Sequence, residues 1–331
     1  MEQVAVNNKK RKEFISKPLF SQSLKSLRVI WLILTAGAAL IFIIVNLAIG
    51  SKNIFTNIDM NSVSTYVKDE ELGWLKVLGL LESMGFSLAR IQAMSQLDLN
   101  SILAELIYKI SGVLLPMIYV IIASNKLVVS QVNDGSMAYV LSTPTNRKTV
   151  VRTQYLFLIL SVIAMYIVIT IFSIGSEGIS TLIVKGSGKE VKWIPVRTLL
   201  FCVGSFAAMF ALSGICFGAS CFFNKYNNSI AVGGGISVLS FICCILGLFG
   251  NEAFVAVGIG VKTMYMFNYL SLFYLIDTPS MSTFCNAIFL KNTDLTPLCF
   301  NWIWEMAILF VIGAVFAYIG GRRFIKKDLP L

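Results

Sequence analysis

From Thr198 to Asn251 the chain carries a single charged side chain, Lys225. The uncharged runs on either side of it, Thr198–Asn224 and Tyr226–Asn251, are each long enough, at ~1.5 Å per helical residue, to cross ~30 Å of hydrocarbon. Such runs leave few options. In lipid every backbone amide and carbonyl must find its partner within the segment, so each crossing is a helix. Val29–Ile49, Thr153–Ser176 and Met306–Gly321 read the same way. Ile110–Asn125 is a shorter run with Pro116 inside it, and Lys109 and Lys126 snorkel from its two ends.

The sum is six spans, which places an even number of crossings between two basic termini. Composition agrees: 13% of the 331 residues are charged, against about 25% in a soluble domain, and the mean hydropathy is +0.79. The expected fold is an all-α integral membrane protein with both termini cytoplasmic. Residues 1–28 form the cytoplasmic N-terminus, 29–321 a single six-helix transmembrane domain and 322–331 a cytoplasmic tail.

Two further segments flank this frame. In Lys17–Arg28, the residues Phe20, Leu24, Leu27 and Trp31 recur on one helical face, which predicts an interfacial helix ahead of the first span; simple extension of that span is the alternative. Thr263–Ile276 is apolar but too short for an ordinary crossing, and suits a re-entrant or interfacial segment before the last helix. Trp302 and Trp304 read as an outer aromatic belt.

Charge fixes the orientation. The N-terminal cluster Lys9–Lys12, then Lys17, Lys25, Arg28, Lys126, Arg147, Lys148, Arg152, Lys225 and the tail cations Arg322, Arg323, Lys326 and Lys327 fall on one side. Of the 17 acids only Glu2, Glu13, Asp134 and Asp328 join them. The positive-inside rule makes that side cytoplasmic. The net charge of +10 is then mostly inner-face charge, and nucleic acid is not an implied partner. Residues 51–105, 175–197 and 251–301 fall outside, the second of them as a Gly- and Lys-containing loop.

Chemistry-bearing motifs are sparse. Gly186-Ser187-Gly188-Lys189 lacks the first glycine of a phosphate loop, where Ile183 stands, and has Glu190 in place of the hydroxyl. No ATP site is therefore expected in this chain. No Asp, Glu or His lies mid-span, which weighs against an ion-coupled carrier and against catalysis by buried acids. With no histidine and no Cys-x-x-Cys pair, a metal site is not expected. Cys285 and Cys299 share one polar stretch and could pair if it is extracellular, although spacing does not fix geometry. Ser213 and Gly214 in the fourth span, and Gly233, Gly234 and Gly235 at the start of the fifth, allow close helix packing. Their functional reading is a seam between subunits or along a substrate route.

Gln131–Arg152 is the longest polar interruption on the cytoplasmic side. Asp134-Gly135 breaks the preceding helix. Ser136–Leu141, which includes Met137 and Tyr139, forms a short amphipathic run. Thr143 caps a new helix at whose first position Pro144 costs nothing, and Arg147, Lys148 and Arg152 follow.

Gly135–Gln154, GSMAYVLSTPTNRKTVVRTQ, resembles the cytoplasmic loop of type 2 ATP-binding-cassette permeases, in particular the beta-exotoxin transport permease group. Arg323–Leu331, RFIKKDLPL, is similar to the tail of that family, and the PLFSQSLKSLRVIW and NYLSLFYLID segments look like it in outline. The resemblance implies a coupling helix at Asp134, Gly135, Ser136, Met137, Tyr139, Pro144 and Arg147 that docks on a separately encoded ATPase, which binds the ATP and magnesium. It also implies a homodimer, or a pairing with a similar permease, in a bacterial plasma membrane. Export is the expected direction, and a mostly apolar translocation route favours an amphipathic drug, peptide antibiotic or lipid over a sugar or ion. An ATPase-independent carrier or channel, a membrane enzyme, and a membrane sensor or scaffold stay open as alternatives.

Overall fold

The computed structural model describes residues 15–52, 111–137, 146–186, 193–250, 255, 261–289 and 300–327. Among these, the regular structure is helical throughout and includes no strand. Six helical stretches are long and apolar enough to cross a membrane.

The first is α1, Lys17–Lys52, one uninterrupted helix of 36 residues. The separate interfacial helix expected over Lys17–Arg28 is not a distinct element, because no proline or glycine falls between Pro18, in the first turn of α1, and Gly37. Its stripe packs on a neighbour instead. Phe20 meets Phe157 edge-on at 5.2 Å, Leu27 is buried, and the Trp31 indole donates to the Ser161 carbonyl at 2.9 Å. Leu24 alone of the four stays exposed.

The second stretch is α2, Gly112–Leu127, followed across a distorted Val128 by the short α3, Val129–Asn133. Pro116 lies within α2. The third is α4, Arg147–Gly186, of 40 residues. At 1.5 Å per residue it is about 60 Å long and outruns any bilayer core. The loop expected from Gly175 is therefore helix as far as Gly186. A glycine inside a helix costs only about 1 kcal/mol relative to alanine, and tertiary contacts outweigh that here. Trp193 packs over Gly178. Glu177 accepts from Thr198 Oγ1 and pairs with Arg197 at 3.3 Å.

The fourth helix, α5 (Pro195–Phe222), starts on a proline at its first turn, where no amide is needed. It is the hub of the bundle, packed against α2, α4 and the last helix. The fifth, α6, runs Tyr226–Leu248 and contains a π-helical turn at Ile230–Gly234. Two 3-10 segments follow, Lys262–Leu270 and Leu272–Leu275, then α7, Thr278–Phe289, and finally α8, Asn301–Lys326. Trp302 and Trp304 lie in the first turn of α8.

The apolar run Thr263–Ile276 is thus not a spanning helix. It lies along α6, where Ser271 Oγ donates to the Ser240 carbonyl and Ser240 Oγ accepts from the Leu272 amide, both at 2.8 Å. Phe273 meets Phe241 edge-on.

The core runs through the contact of α5 with α8. A Cβ on Gly214 would overlap the backbone of Gly313, and one on Gly320 would meet the Gly218 backbone. Without side chains at these positions the two helices touch backbone to backbone. This is the small-residue packing that replaces hydrophobic drive in lipid.

Candidate functional site: a clasped polar end of the bundle

Several chain segments converge at one end of the bundle. The Ser16 amide donates to Thr153 Oγ1 at 3.0 Å, which joins the start of α1 to the first turns of α4. Gln154 Nε2 donates to the Leu127 carbonyl and, at 3.0 Å, to Gln131 Oε1, joining α4 to α2 and α3. Arg147 Nη1 donates to the Lys327 carbonyl at 2.7 Å, joining α4 to the end of α8. Lys327 Nζ then donates to the Phe222 carbonyl at 2.6 Å, and reaches that of Cys221 at 3.5 Å. These are among the last carbonyls of α5, which have no acceptor role inside the helix, and a cation also suits that end of its dipole. The surroundings bury part of this amine, and that desolvation holds its pKa below the ordinary lysine value.

The chain leaves α3 at this same end. Asp134 Oδ2 accepts from Ser130 Oγ at 3.2 Å, and Asp134 Oδ1 from Asn133 Nδ2 at 3.4 Å. Gly135 follows with φ of 70°. That left-handed conformation is open to glycine and costly for a residue with a Cβ, so the turn expected from Asp134-Gly135 is present. Ser136 Oγ donates back to the Gln131 carbonyl at 3.2 Å, and Met137 is buried. Residues 138–145, which include Tyr139 and Pro144, lie outside the described residues. The helix resumes at Arg147.

Beside this turn is an open cleft of about 770 Å3 between α2 and α3 on one side and the start of α6 on the other. Lys126, Ser130, Asn133 and Asp134 form one wall, and Lys225, Tyr226, Asn227 and Asn228 the other. Lys126 Nζ also donates to the Ser26 carbonyl of α1 at 3.1 Å. Under the cleft is a polar node that sequence reasoning missed. Asn125 Oδ1 accepts from Ser229 Oγ at 2.5 Å and from Ser220 Oγ at 3.3 Å, while Asn125 Nδ2 donates to the Ile121 carbonyl at 2.7 Å. All three side chains are buried. Asn125 was visible as the last residue of an apolar run, but its partners are about a hundred residues away in sequence.

The other sequence candidates fall elsewhere. Ser213 is buried, its hydroxyl donating to the Phe210 carbonyl at 2.7 Å, and Gly214 is closed off by Gly313 of the same chain. Gly233 packs against Cys216 and Ala219 and Gly234 against Ile121, while Gly235 faces open space. Only Gly235 of this group is exposed. Cys285 is a buried free thiol, and Cys299 lies outside the described residues. Among the described residues no group of three or more His, Cys, Asp or Glu stands close enough to hold a metal.

The chain matches no protein-family model, and no curated protein or solved structure shows significant similarity to it.

Proposed function

We propose that this chain is the membrane subunit of an exporter whose ATP is bound and hydrolysed by a separate ATPase. The segment from Asp134 to Arg147 serves as the lever between them. The observation that carries this reading is the clasp at the end of the bundle. A turn set by Gly135 (φ 70°) and the helix start at Arg147 bracket the segment, and Arg147 is bound to Lys327, which is bound to α5. A force delivered to either end of such a segment, at Ser136 or at Arg147, reaches α3, α4, α8 and α5 through hydrogen bonds. The resemblance of Gly135–Gln154 to permease coupling loops points the same way.

In this reading both termini and the lever are cytoplasmic, the side that the excess of lysine and arginine favours. Two copies, or one copy and a similar permease, pair through lipid-exposed helix faces. ATP binding draws the ATPases together and pushes Ser136–Leu141 sideways, and the tilt of the spans opens a route for an amphipathic or hydrophobic substrate.

The test replaces Asp134, Tyr139 and Arg147 together and measures co-purification with the separately encoded ATPase, and the ATP hydrolysis that the pair supports. Loss of both, with the permease still in the membrane and monodisperse, is the expected result. Unchanged association and hydrolysis would reject the lever. Transport in vesicles without any ATPase would instead favour a carrier or channel.

A further inference from the structure

The 770 Å3 cleft beside the lever joins two kinds of surface. Its mouth is polar and holds two cations, Lys126 and Lys225, against one anion, Asp134. Asn227 and Asn228 are exposed in the first turn of α6, before which Lys225 makes no side-chain cap. One of the three ammonium hydrogens of Lys126 is engaged by Ser26, which leaves two for another acceptor. Beyond the mouth the surface turns apolar. Ile122 lines the cleft, and Val232, Ile236 and Leu239 are exposed along α6. At spacings of four, four and three residues, Asn228, Val232, Ile236 and Leu239 lie on one helical face. The same face thus runs from a polar, net-positive cleft directly onto a strip suited to hydrocarbon.

We infer that this cleft binds the headgroup of an anionic phospholipid, whose phosphate sits between Lys126 and Lys225 and whose acyl chains lie along Val232, Ile236 and Leu239. A soluble phosphate or an acidic peptide satisfies the two lysines but leaves the apolar strip without a counterpart. A phospholipid matches both parts. Asp134 opposes the phosphate, so the affinity reflects two attractive charges and one repulsive one. The inference requires a membrane-embedded chain and is independent of any ATPase.

The experiment uses the purified full chain in neutral detergent. Native mass spectrometry follows its titration with phosphatidylglycerol, and with phosphatidylcholine of the same acyl chains. A basic side chain at a membrane surface favours an anionic lipid by about fivefold. The expected result is one tightly held phosphatidylglycerol per chain, weakened about fivefold by K225Q and further by K126Q/K225Q. D134N should tighten it, and K17Q, which lies off the cleft, should leave it unchanged. The opposite sign of D134N separates electrostatics from misfolding. Three results would overturn the inference: an unaltered preference in K126Q/K225Q, weakening by D134N, or displacement of the lipid by millimolar inorganic phosphate. The last would mark the cleft as a site for a soluble anion.

Discussion

Arg147 and Lys327 are joined by a 2.7 Å hydrogen bond from guanidinium to carbonyl, and the amine of the same lysine caps the end of α5 at 2.6 Å. One residue just past the last helix thereby ties the start of α4 to the end of α5. Neither contact depends on a carboxylate partner.

This arrangement predicts that Lys327→Met destabilises the bundle by about 1 kcal/mol, the usual value for a charge-assisted helix-end contact. Lys327→Arg, which keeps the charge and the donors, should restore most of it. Thermal unfolding of the purified protein in detergent reads both. Because the folded-state pKa of Lys327 is lowered by burial, the unfolded chain binds more protons between that lowered value and about 10.4, the ordinary lysine pKa. Stability should therefore gain a Lys327-dependent increment as pH rises through that window, and Lys327→Met should abolish it.

Gly214→Ile should be among the most damaging single changes in the chain. The new side chain would meet the Gly313 backbone, and backbone cannot rotate out of the way as a flexible side chain would. Overpacking of this kind costs about 1–3 kcal/mol or more. Gly235→Ala, at a position with nothing within 4 Å, should be close to neutral. Resistance to heat-induced aggregation, measured on both variants side by side, makes the comparison.

Asn125→Leu removes the acceptor shared by Ser220 and Ser229. Hydrogen bonds between membrane helices are worth about 0.6 kcal/mol on average and up to about 1.7. The loss should fall in that range, and the double change with Ser229→Ala should cost less than the sum of the two singles. A double-mutant cycle on unfolding in mixed micelles measures the coupling.

The proposed orientation predicts labelling from opposite faces. In a cysteine-free background, Asn228→Cys beside the cleft should react with a membrane-impermeant maleimide only in inside-out vesicles. Trp193→Cys, at the far end beside Gly178, should react only in intact cells. Reaction of both from one face would exclude the six-span arrangement.

The apolar runs alone settled that this chain forms six long helices, because an uncharged run of that length has no other way to satisfy its backbone in lipid. Sequence also located the turn at Asp134-Gly135, since a left-handed residue between two helices calls for glycine. Local signals misled where tertiary contacts outweighed them. Gly175 and Gly178 suggested a loop, yet Trp193 and Arg197 hold that stretch in α4. The stripe at Phe20, Leu27 and Trp31 suggested a membrane surface, but its partner is α4. The clasp through Lys327, the Asn125 node and the cleft between Lys126 and Lys225 required the folded molecule. Each joins residues about a hundred or more positions apart, and no local periodicity encodes which helix ends meet.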